Sequence, residues 1–542
     1  MHPLCLMKGG LRLIKPPKEE LWWDAKEIHL MDNKLSDLPE SPTCPSLFKL
    51  YLQKNLDLMA IPSCFFKHMP LLEILDLSHT SIKSLPESLS SLVKLREFLL
   101  KGCELFTQLP SHVGELKNLE KLDLDGTQII DLPAEIGHLS KLKILRVSFY
   151  GYMNCSKTML RRDTIIPHGT ISGFFELTEL SIEVDPDDER WHATVKAIIE
   201  EACNLKTLRQ LNLYLPNIEI LWKCRTRSTS LLHYPLPRFR FTVGYHKQQV
   251  VSRVPEEVEA HFDKGDKCLK FVKGKDIPAE MRMALNHSTA FFLEGHATAT
   301  SLSDFGIENS RQLKFCLLTE CNEVQTIIDC AEFPEEQTDA LGNLQDLNIY
   351  YMKNLRSIWR GTVHKNWLAS LKFLALHKCP RLSTIFTPDR IANLASSEEV
   401  IVEHRPQLTS LASLIGRASC NSAPQPNCFL PSLKRISLLY VRKLISISSG
   451  LHIAPKLEKV GFYNCLKLKS LSTMEMSSEN LKTILPTVHD LSDWSWTNCI
   501  SKSPGAKCGT MTGTGCMIVS QYALFMFVCD VWNRLVLVDG LL

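Results

Sequence analysis

Five segments near the start of the chain close on Leu-Pro or Ile-Pro, with prolines at 39, 62, 86, 110 and 133, so the pattern returns after 23, 24, 24 and 23 residues. Ahead of each proline stand leucine-like residues at spacing two, then an Asn, Thr or Cys at 33, 55, 80, 103 and 127. A period this regular is the mark of stacked structural units, none of which can bury its apolar side alone. It also sets aside the usual inference from a length of 542 residues to several globular domains, because a stacked unit touches only its neighbours.

One unit shows the physics. In Leu72-x-x-Leu75-x-Leu77, Leu75 and Leu77 point inward with period two, while Asp76 and Ser78 point outward, as in a short strand. Thr80, at the Asn position, is placed to bond neighbouring backbone at the turn. Ile82 and Leu85 fill the layer, and Pro86 opens the return leg, where a ladder donor has no use. The second inward position recurs at 30, 52, 77, 100, 124 and 147. The expected fold is therefore an α/β solenoid: a leucine-rich-repeat horseshoe with short parallel strands on the concave face and irregular or helical convex legs.

Along the chain, 1–27 reads as a junction segment, 28–150 as regular repeats ending in Leu-Pro, and 151–312 as irregular repeats with helical insertions. Within the last, 187–203 is expected to be helical, with acidic residues at its start and Trp191, Val195, Ile198, Ile199 and Ala202 forming one stripe. The segments 255–262 and 278–285 also read as helices, and 239–243, 268–272 and 290–293 as strands. A second dialect fills 313–475, beginning with Leu313-x-x-Cys316-x-Leu318-x-x-Cys321-x-x-Val324-x-x-Ile327. A weaker copy at Val400-x-Val402 puts Arg405 on the Cys position, where it must either turn outward or carry the cost of burial. The tail 476–542 is atypical; 501–515 is rich in Gly, Ser and Thr, and both a terminal cap and a badly ordered tail stand as readings. Its apolar run 517–529 ends at Asp530, short of the roughly 18–20 residues that span a bilayer.

A net charge of +3 argues against a dedicated nucleic-acid binder. The 19 cysteines include no tight Cys-x-x-Cys pair, and Cys103, Cys321, Cys379 and Cys465 fall on the inward Asn/Cys position, where a small reduced thiol suits burial. With no secretion signal at the start, a reducing compartment, the cytoplasm, is expected.

The Leu-Pro units, the later switch to units such as Cys379-Pro-Arg-Leu382, and phrases such as Met352-Lys-Asn-Leu355-Arg-Ser-Ile358-Trp359 and Phe239-Arg-Phe-Thr-Val-Gly244 together resemble plant intracellular nucleotide-binding leucine-rich-repeat disease-resistance proteins of the coiled-coil subclass. The resemblance covers roughly residues 10–475 and concerns the repeat region alone. It implies a surface that senses pathogen effectors or guarded host proteins and restrains a nucleotide switch. That switch needs a Gly-rich phosphate loop closing on Gly-Lys-Ser or Gly-Lys-Thr. Here Gly274-Lys275 is followed by Asp276, so ADP or ATP is expected only in full-length relatives and no cofactor or metal is expected in this chain. The segment 525–532, ending Cys529-Asp530-Val531-Trp532, echoes a metal-assisting motif of the family but is read as chance.

No zinc-ligand spacing or nucleophile elbow is present, and the protein is expected not to be an enzyme. Asp123 and Asp125 flank inward Leu124 and face outward together, yet nothing completes an acid–base site. The partner is expected to be a protein, with no nucleic acid and no membrane span. The candidate contact residues are the outward positions that stacking aligns. In the early repeats these are Tyr51, Gln53, Asp76, Ser78, His79, Lys101, Asp123, Asp125 and Arg146. In the later repeats they are Tyr350, Tyr351, His377, Lys378, Tyr440, Tyr463 and Asn464, a tyrosine-rich set of the kind enriched at interface hot spots. A repeat adaptor or scaffold outside immunity is the alternative.

Overall fold

The computed structural model describes residues 4–151, 164–223, 236–245, 253–306, 310–329, 341–361, 366–382, 385–386, 391–405, 408–413, 430–449, 456–468, 470–472 and 483–485. Of the expected tail only Thr483–Leu485 is described, as a strand; the rest of it, including 525–532, and residues 419–427 lie outside these residues. The chain divides into two compact units, 1–249 and 250–542.

In the first unit every strand pairs in parallel with the next, from Leu4–Met7 and Ala25–His29 through Lys121–Leu124 and Ile144–Phe149 to Arg238–Gly244. The strands are short because only the two inward residues of each unit have a partner layer to fill. Leu50 and Leu52, Leu75 and Leu77, Phe98 and Leu100, and Leu122 and Leu124 are all fully buried. Burial of one such side chain stabilises by about 1.5–3 kcal/mol, and the same two positions collect that gain in every unit.

Beneath many of the strands a polar side chain closes the layer, although Met352 and Val441 fill the same place in two later repeats. Asn55 Nδ2 donates to Leu52 O at 2.7 Å and to Leu30 O of the preceding unit at 2.9 Å, and its Oδ1 accepts from Leu35 N at 3.2 Å. Thr80 and Thr127 each donate to the carbonyl three residues before, at 2.8 Å. Cysteine takes over the same place. Cys103 Sγ donates to Leu77 O at 3.2 Å, and Cys321 and Cys379 donate to Thr319 O and His377 O at 3.4 and 3.3 Å. These thiols are free, and burial pushes their pKa up, for Cys321 to about 12, so they remain protonated donors.

The two dialects build different return legs. Pro86, Pro110 and Pro133 precede the short 3-10 turns Glu87–Ser91, Ser111–Glu115 and Ala134–His138, which stack on one another. The fit is close: a Cβ on Gly114 would lie 2.4 Å from Glu135 O. In the later repeats the equivalent leg carries Ile328 or Trp359 instead of proline, and a second parallel ladder forms between Thr326–Asp329 and Ser357–Arg360. Proline has no N–H to offer such a ladder. The 3-10 leg and the strand leg are thus two outcomes of one substitution.

The second unit carries its main parallel sheet from Lys267–Val272 and Ala290–Glu294 through Phe315–Thr319, Asp346–Tyr350, Phe373–His377, Glu399–Glu403 and Arg435–Leu439 to Lys459–Tyr463 and Thr483–Leu485. The helix expected at 187–203 is Glu189–Cys203, capped by Asp188, and its five stripe residues are all buried. Helices Glu256–Lys264 and Ala279–Leu285 follow prolines 255 and 278. Of its two options, outward or buried, Arg405 takes the buried one. It is 1% exposed, and one terminal nitrogen donates to Cys379 O at 2.6 Å and Leu382 O at 3.0 Å, replacing the missing cysteine by a long charged donor.

Asn55→Ala strands Leu52 O and Leu35 N in a dry layer, while Leu30 O keeps its bond from Asn33 Nδ2, and should lower stability by about 2–3 kcal/mol. Asn55→Cys, which restores a donor, should lose less. Urea midpoints measure both; equal losses for Ala and Cys would remove the ladder as the cause.

Candidate partner-binding surface

Many of the strands end in a residue forced into the left-handed region. His79, Tyr351, Lys378, His404, Tyr440 and Asn464 all have φ between 47° and 57°. The twist aims the backbone N–H at the next unit: His79 donates to Lys101 O at 2.7 Å, Tyr351 to His377 O at 2.9 Å and Tyr440 to Tyr463 O at 2.8 Å. A position that L-residues enter reluctantly is held by one hydrogen bond per unit. His79 in the first unit, and Tyr351, Lys378, Tyr440 and Asn464 in the second, are therefore not the strand residues that alternation predicted but turn residues at the sheet margin of their own unit, where the later four form a column.

Several other candidate residues sit where expected but are covered. Ser78, Asp123, Tyr350 and His377 point to the outward side, yet they are buried by neighbours in adjacent units. Asp123 accepts from Asp125 N and lies 3.4 Å from Arg146, which also grips Glu179 at 2.7 Å. Asp125 accepts from Ser148 Oγ at 2.9 Å and pairs with Lys101 at 3.2 Å. The two carboxylates that faced outward together are thus tied into a network of the first unit, and burial pushes the pKa of Asp123 up despite Arg146. Tyr51, Gln53, Asp76 and Arg146 are half-buried on the same side, with the Tyr51 ring 4.7 Å from that of His29. Tyr463 is exposed.

In the second unit the outward side changes character. Tyr351 meets the His377 ring edge-on at 4.9 Å, His377 and His404 are 5.6 Å apart, His404 stacks on Tyr440 at 4.5 Å, and Tyr440 meets Tyr463 at 5.1 Å. The rings form one continuous ribbon over consecutive repeats. Under it Glu403 Oε2 lies 2.6 Å from His377 Nδ1 and Oε1 lies 2.9 Å from His404 Nδ1. Burial alone would push Glu403 up, but the two imidazoles outweigh it and hold its pKa down at about 2. The donor atoms of His377, Glu403 and His404 fall within 4.8 Å of one another, as do those of Cys5, Glu27 and His29, so either group has the reach to hold a cation.

A further feature escaped the sequence reading. The helix Glu256–Lys264 lies on the strand side of the second unit, with His261 stacked on Phe315 at 4.5 Å and Phe262 edge-on to Phe292 at 5.3 Å. Val258 and Phe262 pack on a cluster that includes Cys268, Ala290, Phe292, Phe315 and Leu317. The signal was present: Ala290-Phe-Phe-Leu293 and Phe315-Cys-Leu-Leu318 are apolar on both faces and break the alternation of a strand with one wet side. His404 and Glu403 were missed as well, although placing Arg405 on the Cys position already implied that His404 matches Lys378.

Short parallel strands, a buried polar ladder and alternating legs define a leucine-rich-repeat protein. A family model described as a leucine-rich repeat region matches residues 59–234, and one for the leucine-rich repeats of RPS2-like plant disease resistance proteins matches residues 310–405. The chain carries leucine-rich repeats, and those of residues 310–405 are related to the repeats of plant disease resistance proteins. A putative disease resistance protein of Arabidopsis thaliana is 42% identical over 74 residues, 14% of this chain and 8% of the relative. The Arabidopsis disease resistance protein SUMM2 is 39% identical over 77 residues, 14% of this chain and 9% of the relative. The matches thus span less than a tenth of the length of these curated relatives. Among solved structures, a leucine-rich-repeat protein of Leptospira interrogans superposes with a TM-score of 0.40 at 20% identity, over 77% of this chain and 93% of that one. Among the described residues no helix is long and apolar enough to cross a membrane.

Glu403 has a folded pKa below the roughly 4.3 of a free glutamate, so its contribution is full above that pH and is lost as pH falls toward 2. Glu403→Gln should therefore be less stable than the parent at pH 7 and show a flatter loss between pH 4.5 and 2. Parallel denaturation curves for the two proteins over that range would exclude the linkage.

Proposed function

We propose that this chain is the sensing region of a plant disease-resistance receptor, acting by contact with a pathogen effector or a guarded host protein. The observation that carries this is the order of the two family matches: a general leucine-rich repeat region first, then RPS2-like repeats, in one chain. The aromatic ribbon of the second unit supports it, because Tyr351, Tyr440 and Tyr463 supply large apolar area with polar tips at little entropic cost, which suits protein recognition. By resemblance, the region also restrains a nucleotide switch in the same receptor, in the cytoplasm.

The test is co-expression in leaf tissue with the nucleotide-binding part of a receptor of this family, made without its own repeats. The chain is expected to co-purify with that part and to lower its spontaneous defence signalling. A folded chain that neither associates nor lowers signalling would overturn the restraint role and favour a scaffold outside immunity.

A further inference from the structure

We propose that the cleft along the turn column of the second unit binds a short acidic peptide segment of a protein partner. This rests on the recognition reading above and names the chemistry of what is recognised.

Along the strands of both units cations are matched by anions one unit away, in the second as Lys270 with Glu294 at 3.4 Å and Arg435 with Glu399 at 2.6 Å. In the first the pairs are Lys49 with Glu27 at 2.9 Å, Arg96 with Glu120 at 2.9 Å, Lys121 with Glu97 at 3.6 Å and Arg146 with Glu179 at 2.7 Å. The second unit also has a cleft of about 650 Å³, lined by Arg253, Lys353, Lys378 and Arg442 around the rings of Tyr351 and Tyr440. Glu320 pairs with Arg253 at 3.6 Å, whereas Lys353, Lys378 and Arg442 form no ion pair with any described residue.

Repetition builds this excess. Lys353 and Arg442 each stand two residues after a left-handed tyrosine, in Tyr351-Met-Lys353 and Tyr440-Val-Arg442, so stacking brings them to equivalent places on the same margin. Two of the cations are already held against a ring. Lys378 Nζ is 5.3 Å and the Arg253 guanidinium 5.9 Å from the Tyr351 centroid, and the Tyr351 hydroxyl donates to Arg253 O at 3.4 Å. Cation–π contact orients these groups without neutralising them. Converging like charges are relieved by a bound carboxylate, and the attraction steers an acidic segment while repelling a basic one. The tyrosine rings offer apolar area to side chains between the acids.

A peptide fits better than a nucleic acid. Exposed Glu320 sits in the cleft wall, where it would repel a continuous phosphate backbone but can accept from a peptide amide. The chain as a whole carries a net charge of only +3, too little for a polyanion track.

The experiment is fluorescence polarisation of the full chain with three labelled ten-residue peptides, identical except that four positions are Glu, Gln or Lys. The Glu peptide should bind at least about tenfold more tightly than the Gln peptide, with the advantage shrinking as salt rises. The double variant Lys378→Glu with Arg442→Glu should weaken the Glu peptide about tenfold or more and favour the Lys peptide. Lys117→Glu, at an exposed position of the first unit, should change neither. Equal binding of the Glu and Gln peptides, or an unchanged double variant, overturns the acidic preference. If the Gln peptide still binds and Tyr440→Ala abolishes that, recognition at this surface stands while the charge inference fails. Tighter binding of single-stranded DNA at the same residues, or no binding of any peptide, also overturns the proposal.

Discussion

The buried polar side chain that recurs beneath the strands of the regular repeats is the interaction on which the rest depends. A parallel strand of three to five residues cannot hold itself, and its turn would leave carbonyls stranded in a dry layer. Asn55 answers this by donating to its own unit and the preceding one and accepting from the return leg of the preceding unit. Because the bonds cross from one layer to the next, they fix the offset between layers as well as the turn. Threonine and cysteine keep the donor and give up the acceptor. Arg405 keeps the donor by reaching across to Cys379 O, and its buried charge is a standing cost at one layer of the second unit.

From that fixed stacking follows the left-handed turn column. Once successive layers are locked in register, the last N–H of each strand is aligned with a carbonyl of the next, and a positive φ is what satisfies it. The residues carried on this twist stand at the sheet margin, turned out from the crowded strands. This separates candidates that looked equivalent along the sequence. Tyr350 and Tyr351 are adjacent, yet the first is covered among strand neighbours and the second borders an open cleft.

The helix Glu256–Lys264 adds a second division of the same side. It covers the apolar outward residues Phe292, Phe315 and Leu317, and the segment leading into it brings Arg253 against Tyr351. The recognition surface of the second unit is therefore shaped partly by its own repeats and partly by a segment that precedes them. Strand charges are matched from unit to unit in both halves, Arg96 with Glu120 as Arg435 with Glu399, so the unpaired charge of the second unit is gathered in its cleft.

The sequence by itself determined the repeat, the inward positions and the ladder residues. Each of these depends on a period that local side-chain chemistry writes directly: Leu at spacing two, Asn, Thr or Cys three residues on, and proline where no donor is needed. It also placed the helix Glu189–Cys203 by its stripe, and identified Tyr351, Lys378 and Tyr440 as outward residues. Tertiary structure alone decided which outward residues are covered, that Asp123 and Asp125 are consumed by Arg146, Lys101 and Ser148, and that Glu403 joins His377 to His404. It alone laid the helix Glu256–Lys264 on the strand side and gathered cations from four places in the chain around two tyrosines. These outcomes depend on contacts between residues tens of positions apart, and a period records how units stack but not what each unit's neighbours leave open.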